Sequence, residues 1–284
     1  MATMTCLKAI KPNFDTTSVE IFEESLSRDI LEVLNSMRQY TELCDVNLLV
    51  EGTTITAHRA ILAASSPYFR AMFLSGFSEV NEDCIQVKDM EAEALGMVIE
   101  YFYTSYLKID VDTVEDILKV CVVLRLDSLV DHCETFLRRN MTPSNCLGLY
   151  SVAKLFCLDG LTDHAKRFTL WNFQHVFQEE EFSLLPYQQL KSLIRDDTLK
   201  VQSEEAVFDA AWKWINHDFH VRKDYAGDIM QYVRFPLMSL HFLVNNGTIK
   251  RLMQENTICK ELIREARDVS SFPWYRLYRR DRKL

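Results

Sequence analysis

Apolar positions along this chain recur mostly at helical spacing. Phe22, Leu26, Ile30, Val33 and Met37 form one stripe edged by Glu23, Glu24, Arg28 and Asp29, which predicts an opening helix. A helix that arrives before any core exists must lay its stripe on a later element or on another chain. The period changes at Cys44. Cys44–Val50 and Ile55–His58 read as strands around Glu51-Gly52-Thr53-Thr54, a hairpin signal. Helical spacing returns from Arg59 through Ala64, and Pro67 opens a second helix over Tyr68–Leu74. Cys84–Val87 predicts a third strand. Asp89 is placed to cap a helix presenting Leu95, Val98, Ile99 and Phe102. Asp112 with Glu115 predicts a capping box for Val114, Ile117, Leu118 and Cys121. A further helix carries Leu126, Leu129, Val130, Cys133, Phe136 and Leu137. Residues 1–18 show no period and read as a loose arm.

The second half reads as helices throughout. Thr142-Pro143 predicts a cap and a first-turn proline for a helix with Cys146, Leu149, Tyr150 and Ala153. Its partner carries Leu161, His164, Ala165 and Phe168. A helix from Ser203-Glu204-Glu205 sets Val207, Ala210, Ala211 and Trp214 on one face and Phe208, Trp212 and Ile215 on the next, so it is expected to be buried on two sides. A last helix carries Cys259, Leu262, Ile263 and Ala266. Val233–Leu237 is the best strand candidate here, and Pro236 weakens it.

Composition supports the helical reading. Gly is 7 and Pro 6 of 284 residues, well under half the usual shares of about 7% and 5%. A large sandwich, barrel or propeller needs more turn residues than that. No two glycines are adjacent and none form GxG, so a phosphate-cradling loop is not expected. Net charge is −9, with the last nine residues carrying +4 through Arg276, Arg279, Arg280, Arg282 and Lys283 against Asp281. That balance argues against binding phosphate backbones; the basic tail reads as a solubilising end, with a nucleic-acid or acidic-partner contact as the alternative. The eight cysteines are too few and scattered for a disulfide scaffold. Cys121, Cys133, Cys146, Cys157 and Cys259 are expected to be buried reduced thiols. No run of apolar residues is long enough to span a membrane, and no secretory signal is read at the N-terminus. A reducing compartment, cytoplasm or nucleus, is the expectation.

Catalytic chemistry finds no constellation. His217 and His220 sit three apart without a Cys or acid at zinc-site spacing. His132 and Cys133 point about 100° apart on a helix, a poor nucleophile–base pair. No catalytic residue, metal site or cofactor is expected, and the chain is not read as an enzyme. Gly76-Phe77-Ser78-Glu79, between the Pro67 helix and the third strand, places a large aromatic two residues before an acid. Read alone, Phe77 plugs the domain's own core and Glu79 faces water.

Cys44-Asp45-Val46, Ala57-His58-Arg59, Ser66-Pro67-Tyr68-Phe69 and Phe102-Tyr103-Thr104 together resemble a BTB (POZ) domain. Asn145-Cys146-Leu147, Ser203-Glu204-Glu205-Ala206-Val207-Phe208 and Arg234-Phe235-Pro236-Leu237 resemble the BACK domain that follows BTB in kelch-like proteins. The resemblance implies an α+β, mostly helical chain: a small sheet clasped by helices, then an all-α BACK domain. The divisions are an arm over 1–18, BTB over 19–137, BACK over 138–268 and a basic tail over 269–284. It implies a homodimer built on the first helix, with Phe22, Leu26, Ile30, Val33 and Met37 at the interface and Asp45 and Arg59 as a charged pair there. It also implies docking to cullin-3 through Phe77, Ser78 and Glu79, with Tyr103 facing the cullin and the helices from Pro143 to Phe173 extending the contact.

The function so implied is a substrate adaptor, or a fragment of one, for a cullin-3 RING ubiquitin ligase. Its partners would be cullin-3, a second copy or another BTB chain, and a protein substrate, with no nucleic acid and no membrane. The alternative is a non-catalytic BTB scaffold, a transcriptional co-regulator or cytoskeletal organiser that uses the domain only to dimerise. Kelch-like proteins continue into a propeller whose blades each need a glycine pair, and this sequence holds none. The expectation is that the propeller is not part of this chain.

Overall fold

The computed structural model describes residues 22, 23, 25–74 and 83–271. The chain divides after Leu126 into two compact units. The first holds α1 (Leu26–Gln39), β1 (Val46–Val50), β2 (Thr53–Ala57), α2 (Arg59–Ser65), α3 (Pro67–Leu74), β3 (Cys84–Gln86), α4 (Ala92–Thr104) and α5 (Val114–Leu124).

The sheet has the order β2-β1-β3. β1 runs antiparallel to β2, with Leu48 opposite Ile55, and parallel to β3, with Leu48 opposite Ile85. Alternation explains why β1 is central: Val46, Leu48 and Val50 are all buried on one face. Glu51 and Gly52 take left-handed backbone at φ 47° and 84°, the geometry that lets so short a hairpin turn follow the strand twist. Helices clasp this sheet. α4 buries Leu95, Val98, Ile99 and Phe102, and α5 buries Val114, Ile117, Leu118 and Cys121, the stripes that periodicity marked. Ser66, fully buried between α2 and α3, donates its hydroxyl to the Leu124 carbonyl at 2.8 Å. A small polar residue there ends α2 and fastens it to the end of α5.

The second unit opens with α6 (Asp127–Arg139), α7 (Cys146–Leu155) and α8 (Asp159–Trp171). Thr169 near the end of α8 donates to Cys146 at the start of α7 at 3.4 Å, so the two helices run antiparallel. Short helices follow: α9 (Phe173–Val176), α10 (Glu180–Ser183) and α11 (Tyr187–Ile194). Next comes α12 (Glu204–His217), then α13 (Phe219–Arg222), α14 (Ala226–Met230), α15 (Leu240–Asn245), α16 (Gly247–Glu255) and α17 (Thr257–Ser271).

α12 is the organising element of this unit. Ala206, Val207, Phe208, Ala210, Ala211, Trp214 and Ile215 are all buried, too wide an arc for a surface helix. Its polar groups serve the surrounding loops. The Trp214 indole donates to the Leu185 carbonyl at 2.7 Å. Lys213 Nζ donates to the carbonyls of Phe177, Gln178 and Glu179 at 2.9, 2.8 and 3.2 Å, satisfying the orphan acceptors that follow α9. Glu204 accepts the Arg234 backbone N–H at 2.8 Å and Glu205 accepts that of Ser239 at 2.9 Å. Burial pushes the Glu204 carboxyl above its ordinary pKa, and the Arg234 N–H pulls against that rise. Two sequence motifs thirty residues apart, Ser203-Glu204-Glu205 and Arg234-Phe235-Pro236-Leu237, are therefore two halves of one junction.

Several local expectations are corrected. The α4 cap position is Glu91, not Asp89, whose φ is 61°. The turn before α5 is closed by Asp110, which accepts the Thr113 N–H and hydroxyl at 3.1 and 2.8 Å, so Asp112 is not the cap. α7 starts at Cys146, and Thr142-Pro143 forms the preceding turn, with the Thr142 N–H donating to the Asn145 side chain at 2.8 Å. Phe235–Leu237 is a 3-10 turn rather than a strand; Pro236 removes the donor a ladder would need. Cys157 is exposed at φ 56° in the turn between α7 and α8, unlike buried Cys121, Cys133, Cys146 and Cys259. The arm over 1–18 and the tail from residue 272 lie outside the described residues.

Candidate protein-interaction surfaces of the first unit

α1 has one face tied to the unit and one face left exposed among the described residues. Asn35 is its buried residue. The Asn35 amide donates to Glu100 of α4 at 2.8 Å, and its carbonyl oxygen accepts from Arg38 Nε and Nη2 at 3.0 and 2.9 Å. Arg38 also pairs with Glu100 and lies over the Tyr103 ring at 4.9 Å. A polar cluster therefore helps to fix the rotation of the helix on α4. That rotation sends Leu26, Ile30 and Val33 outward, 55%, 51% and 55% exposed. Met37 is half-buried. Phe22 precedes the helix and is 88% exposed, so it belongs to the approach to α1 rather than to its stripe.

The cluster continues inward through Tyr103. Its hydroxyl accepts the His58 backbone N–H at 3.0 Å and lies 2.9 Å from His58 Nδ1. His58 Nε2 lies 3.2 Å from the Glu42 carbonyl. A carbonyl only accepts, so Nε2 is the donor of that pair. Burial raises the Tyr103 phenol above its ordinary pKa and likewise pushes up the Cys44 thiol. At 1% exposure Tyr103 is not a surface contact. The exposed aromatic of that stretch is Tyr106, at 72%. Tyr103 supports the surface from beneath, holding α4, the start of α2 and, through Arg38, the free helix.

Asp45 and Arg59 meet within the subunit. Asp45 Oδ1 accepts the Arg59 backbone N–H at 2.7 Å, and Arg59 Nε donates to the Asp45 carbonyl at 3.1 Å. Arg59 also lies over the Phe73 ring at 5.0 Å. Asp45 is exposed rather than partly buried, and its carboxylate starts α2 as a helix cap supplied by a distant residue. Phe77, Ser78 and Glu79 lie outside the described residues. The residue at the described edge of that segment, Leu74, is an exposed large apolar side chain at the end of α3.

Periodicity missed two exposed residues beside α1. Tyr40 and Leu43 follow the helix in a loop where Thr41 and Leu43 hold φ 58° and 54°. A large apolar residue in left-handed backbone is uncommon and is retained where surroundings demand it. No pattern of spacing signals it, because a lone leucine outside a stripe carries no period.

Among the described residues no group of three His, Cys, Asp or Glu side chains could hold a metal ion. No helix among them is long and apolar enough to cross a membrane.

The family model for the BTB/POZ domain matches residues 34–141. The model for BACK, described as BTB And C-terminal Kelch, matches residues 146–247. The first unit thus has the class of a protein-interaction domain, one that generally dimerises. The chain is a BTB–BACK protein, with the small sheet in the BTB region and a helical BACK region after it.

Proposed function

We propose that this chain is a non-catalytic adaptor that self-associates through α1 and docks a cullin-3 ubiquitin ligase scaffold. The observation that carries the reading is the free face of α1: three large apolar side chains about half exposed, on a helix whose opposite face is locked by Asn35, Arg38 and Glu100. Covering such side chains stabilises a pair of copies by roughly 1 kcal/mol each. Asp45 and Arg59 brace the start of α2 in each copy. The cullin contact falls to Phe77, Ser78 and Glu79, where an apolar anchor fills a groove and one charge sets register; the resemblance of this segment to cullin-docking BTB loops supports it. The chain holds a protein substrate near the ligase, and two arms per dimer raise the effective concentration at a substrate with two contacts. The same reading places the chain in a reducing cytoplasm or nucleus, where scattered cysteines stay reduced.

Isothermal calorimetry of the full chain with the cullin-3 N-terminal domain tests the docking. Wild type is expected to bind, and Phe77→Ala with Glu79→Lys to lose measurable heat. No heat from wild type overturns the adaptor reading and leaves a BTB scaffold uncoupled from ubiquitination; unchanged binding by the double variant overturns the site. Light scattering showing a monomer at micromolar concentration overturns the role of α1.

A further inference from the structure

α1 by itself is too small a surface to hold two copies together. A fully covered aliphatic side chain removes roughly 100 Å² from water. Leu26, Ile30 and Val33, each about half exposed, therefore offer roughly 150 Å² between them. A stable interface takes about 800 Å² from each partner. On the reading that α1 self-associates, the rest comes from surface beside the helix. The turn at its C-terminal end is such a surface: Tyr40 is 74% exposed and Leu43 78%. An aromatic side chain alone removes roughly 150–250 Å² when covered, so these two residues roughly double the apolar area that α1 offers.

The turn is built onto the same side of the helix. Tyr40 stands three residues after Met37 and seven after Val33, the spacing that keeps side chains in one line. Its N–H donates to the Ser36 carbonyl at 3.3 Å, that of Thr41 to Arg38 at 3.0 Å and that of Glu42 to Met37 at 2.8 Å. The chain is thus wound over the last turn of α1. Leu43 comes next and is held from behind: the Glu42 carbonyl lies 3.2 Å from His58 Nε2, and Cys44 Sγ lies 3.7 Å from the same nitrogen. The backbone is pinned on both sides of Leu43 while the side chain stands in solvent.

That backbone is strained where the subunit itself gains nothing. Thr41 and Leu43 both hold left-handed φ, at 58° and 54°. Glycine takes this region freely and is the usual residue where a helix ends this way; for a bulky or β-branched residue it is an outlier. A buried leucine would repay the strain by packing, and an exposed one does not. Strain of this kind persists where a recognition element is held in shape in advance.

We propose that the Tyr40–Leu43 turn is the second half of the self-association surface: Tyr40 and Leu43 of each copy pack against the other copy, and the left-handed backbone at Thr41 and Leu43 fixes their positions before the copies meet. The occupant is a second copy because the turn continues the exposed line of α1 without a break, and a two-fold pair presents the same patch from both sides. The inference rests on self-association through α1 and adds to it the residues that enlarge the contact and set its register.

Sedimentation velocity of the full chain across a dilution series tests the turn, with Tyr40→Ala plus Leu43→Ala run beside wild type and Ile30→Asp. Wild type is expected to dimerise, and the double variant to raise the dissociation constant roughly tenfold or more. A monomeric wild type overturns self-association through α1 and this proposal with it. Weakening by Ile30→Asp but not by the double variant leaves α1 standing and overturns the turn. A second variant separates recognition from folding. In the Ile30→Asp background, at a concentration where that chain is monomeric, Leu43→Gly is expected to leave the urea midpoint unchanged or to raise it, because glycine relieves the left-handed strain. A lowered midpoint assigns Leu43 to the subunit's own packing and overturns the proposal. The photo-crosslinking amino acid p-benzoylphenylalanine, placed at Tyr40, is expected to give a product of twice the chain mass on a denaturing gel. A product with the mass of one chain sets the turn against its own subunit and overturns the proposal as well.

Discussion

The two units use polar side chains in opposite ways. In the second, half-buried polar side chains and the buried Trp214 indole point at backbone and close the unit on itself: Lys213 on three carbonyls, Trp214 on one, Glu204 and Glu205 on two N–H groups. They let the short helices α9 to α11 and α13 to α15 pack around α12 although few of these could stand alone. In the first unit the principal polar cluster does something else. Asn35, Arg38, Glu100, Tyr103 and His58 bond mainly to one another. Their effect is to hold a helix with its apolar side facing away from the unit. One unit spends its polar groups on self-sufficiency, the other on presenting a surface. The difference supports the proposal that recognition by another chain falls to the first unit.

The largest expected effect tests the self-sufficiency of the second unit. Phe208 is fully buried, with Phe235 and Phe242 edge-on at 6.0 and 5.7 Å. Phe208→Ala empties the space between α12, the Phe235 turn and α15, and is expected to cost about 3–5 kcal/mol. Denaturant unfolding followed by circular dichroism measures it. A loss below about 1 kcal/mol would show that the junction of Glu204 with Arg234, not the aromatic cluster, holds these elements together.

A smaller effect, in a different observable, is expected in the first unit. Ile30→Asp changes an exposed residue, so subunit stability should move by no more than about 0.5 kcal/mol. Self-association should weaken by about 2–3 kcal/mol, close to a hundredfold, because each dimer loses two apolar contacts and buries two charges. Sedimentation velocity across a dilution series reads the change. If Ile30→Asp instead unfolds the chain, the α1 face is part of the core and the contrast between the units fails.

That contrast was only half legible in the sequence. Helical period located α4, α5, α12 and α17, because each buries a stripe wide enough to dominate its window. It located Leu26, Ile30 and Val33 too, yet period alone reports that a stripe exists and not whether the unit itself covers it. The deciding residues, Asn35 and Glu100, are sixty-five positions apart, and neither is unusual locally. Tyr103 shows a related limit. Its motif marks a place in the fold, while its burial depends on His58 and Arg38, which come from other elements. Caps failed where the acceptor came from the preceding turn, as Asp110 does for Thr113. Asp45 caps Arg59 from fourteen residues away, a spacing no local capping pattern covers. The junction of Glu204 with Arg234 could not be read from either motif, since each supplies only one side of it.

The smallest effect concerns a single ion pair and sharpens how the second unit closes on itself. Asp196, in the turn after α11, accepts from Lys166 Nζ of α8 at 2.8 Å and from the Thr198 N–H and hydroxyl at 3.1 and 2.7 Å. The Lys166 ammonium, helped by Thr198, holds its carboxyl down at about 2, against an ordinary 3.8. A carboxylate with a depressed folded-state pKa stabilises the fold above its unfolded value and loses that contribution as pH falls toward the folded one. The window here is therefore about pH 4 down to about pH 2. Lys166 remains partly in water, with its side chain 35% exposed, so the contribution at neutral pH is expected to be about 1 kcal/mol. Wild type should exceed Asp196→Asn by that amount from pH 7 to pH 5 in urea unfolding, and the gap should close by pH 2. A gap that stays constant across the whole range would mean that the turn depends on the Thr198 hydrogen bonds alone, which asparagine can still accept, and that the bridge between α8 and the end of α11 contributes nothing.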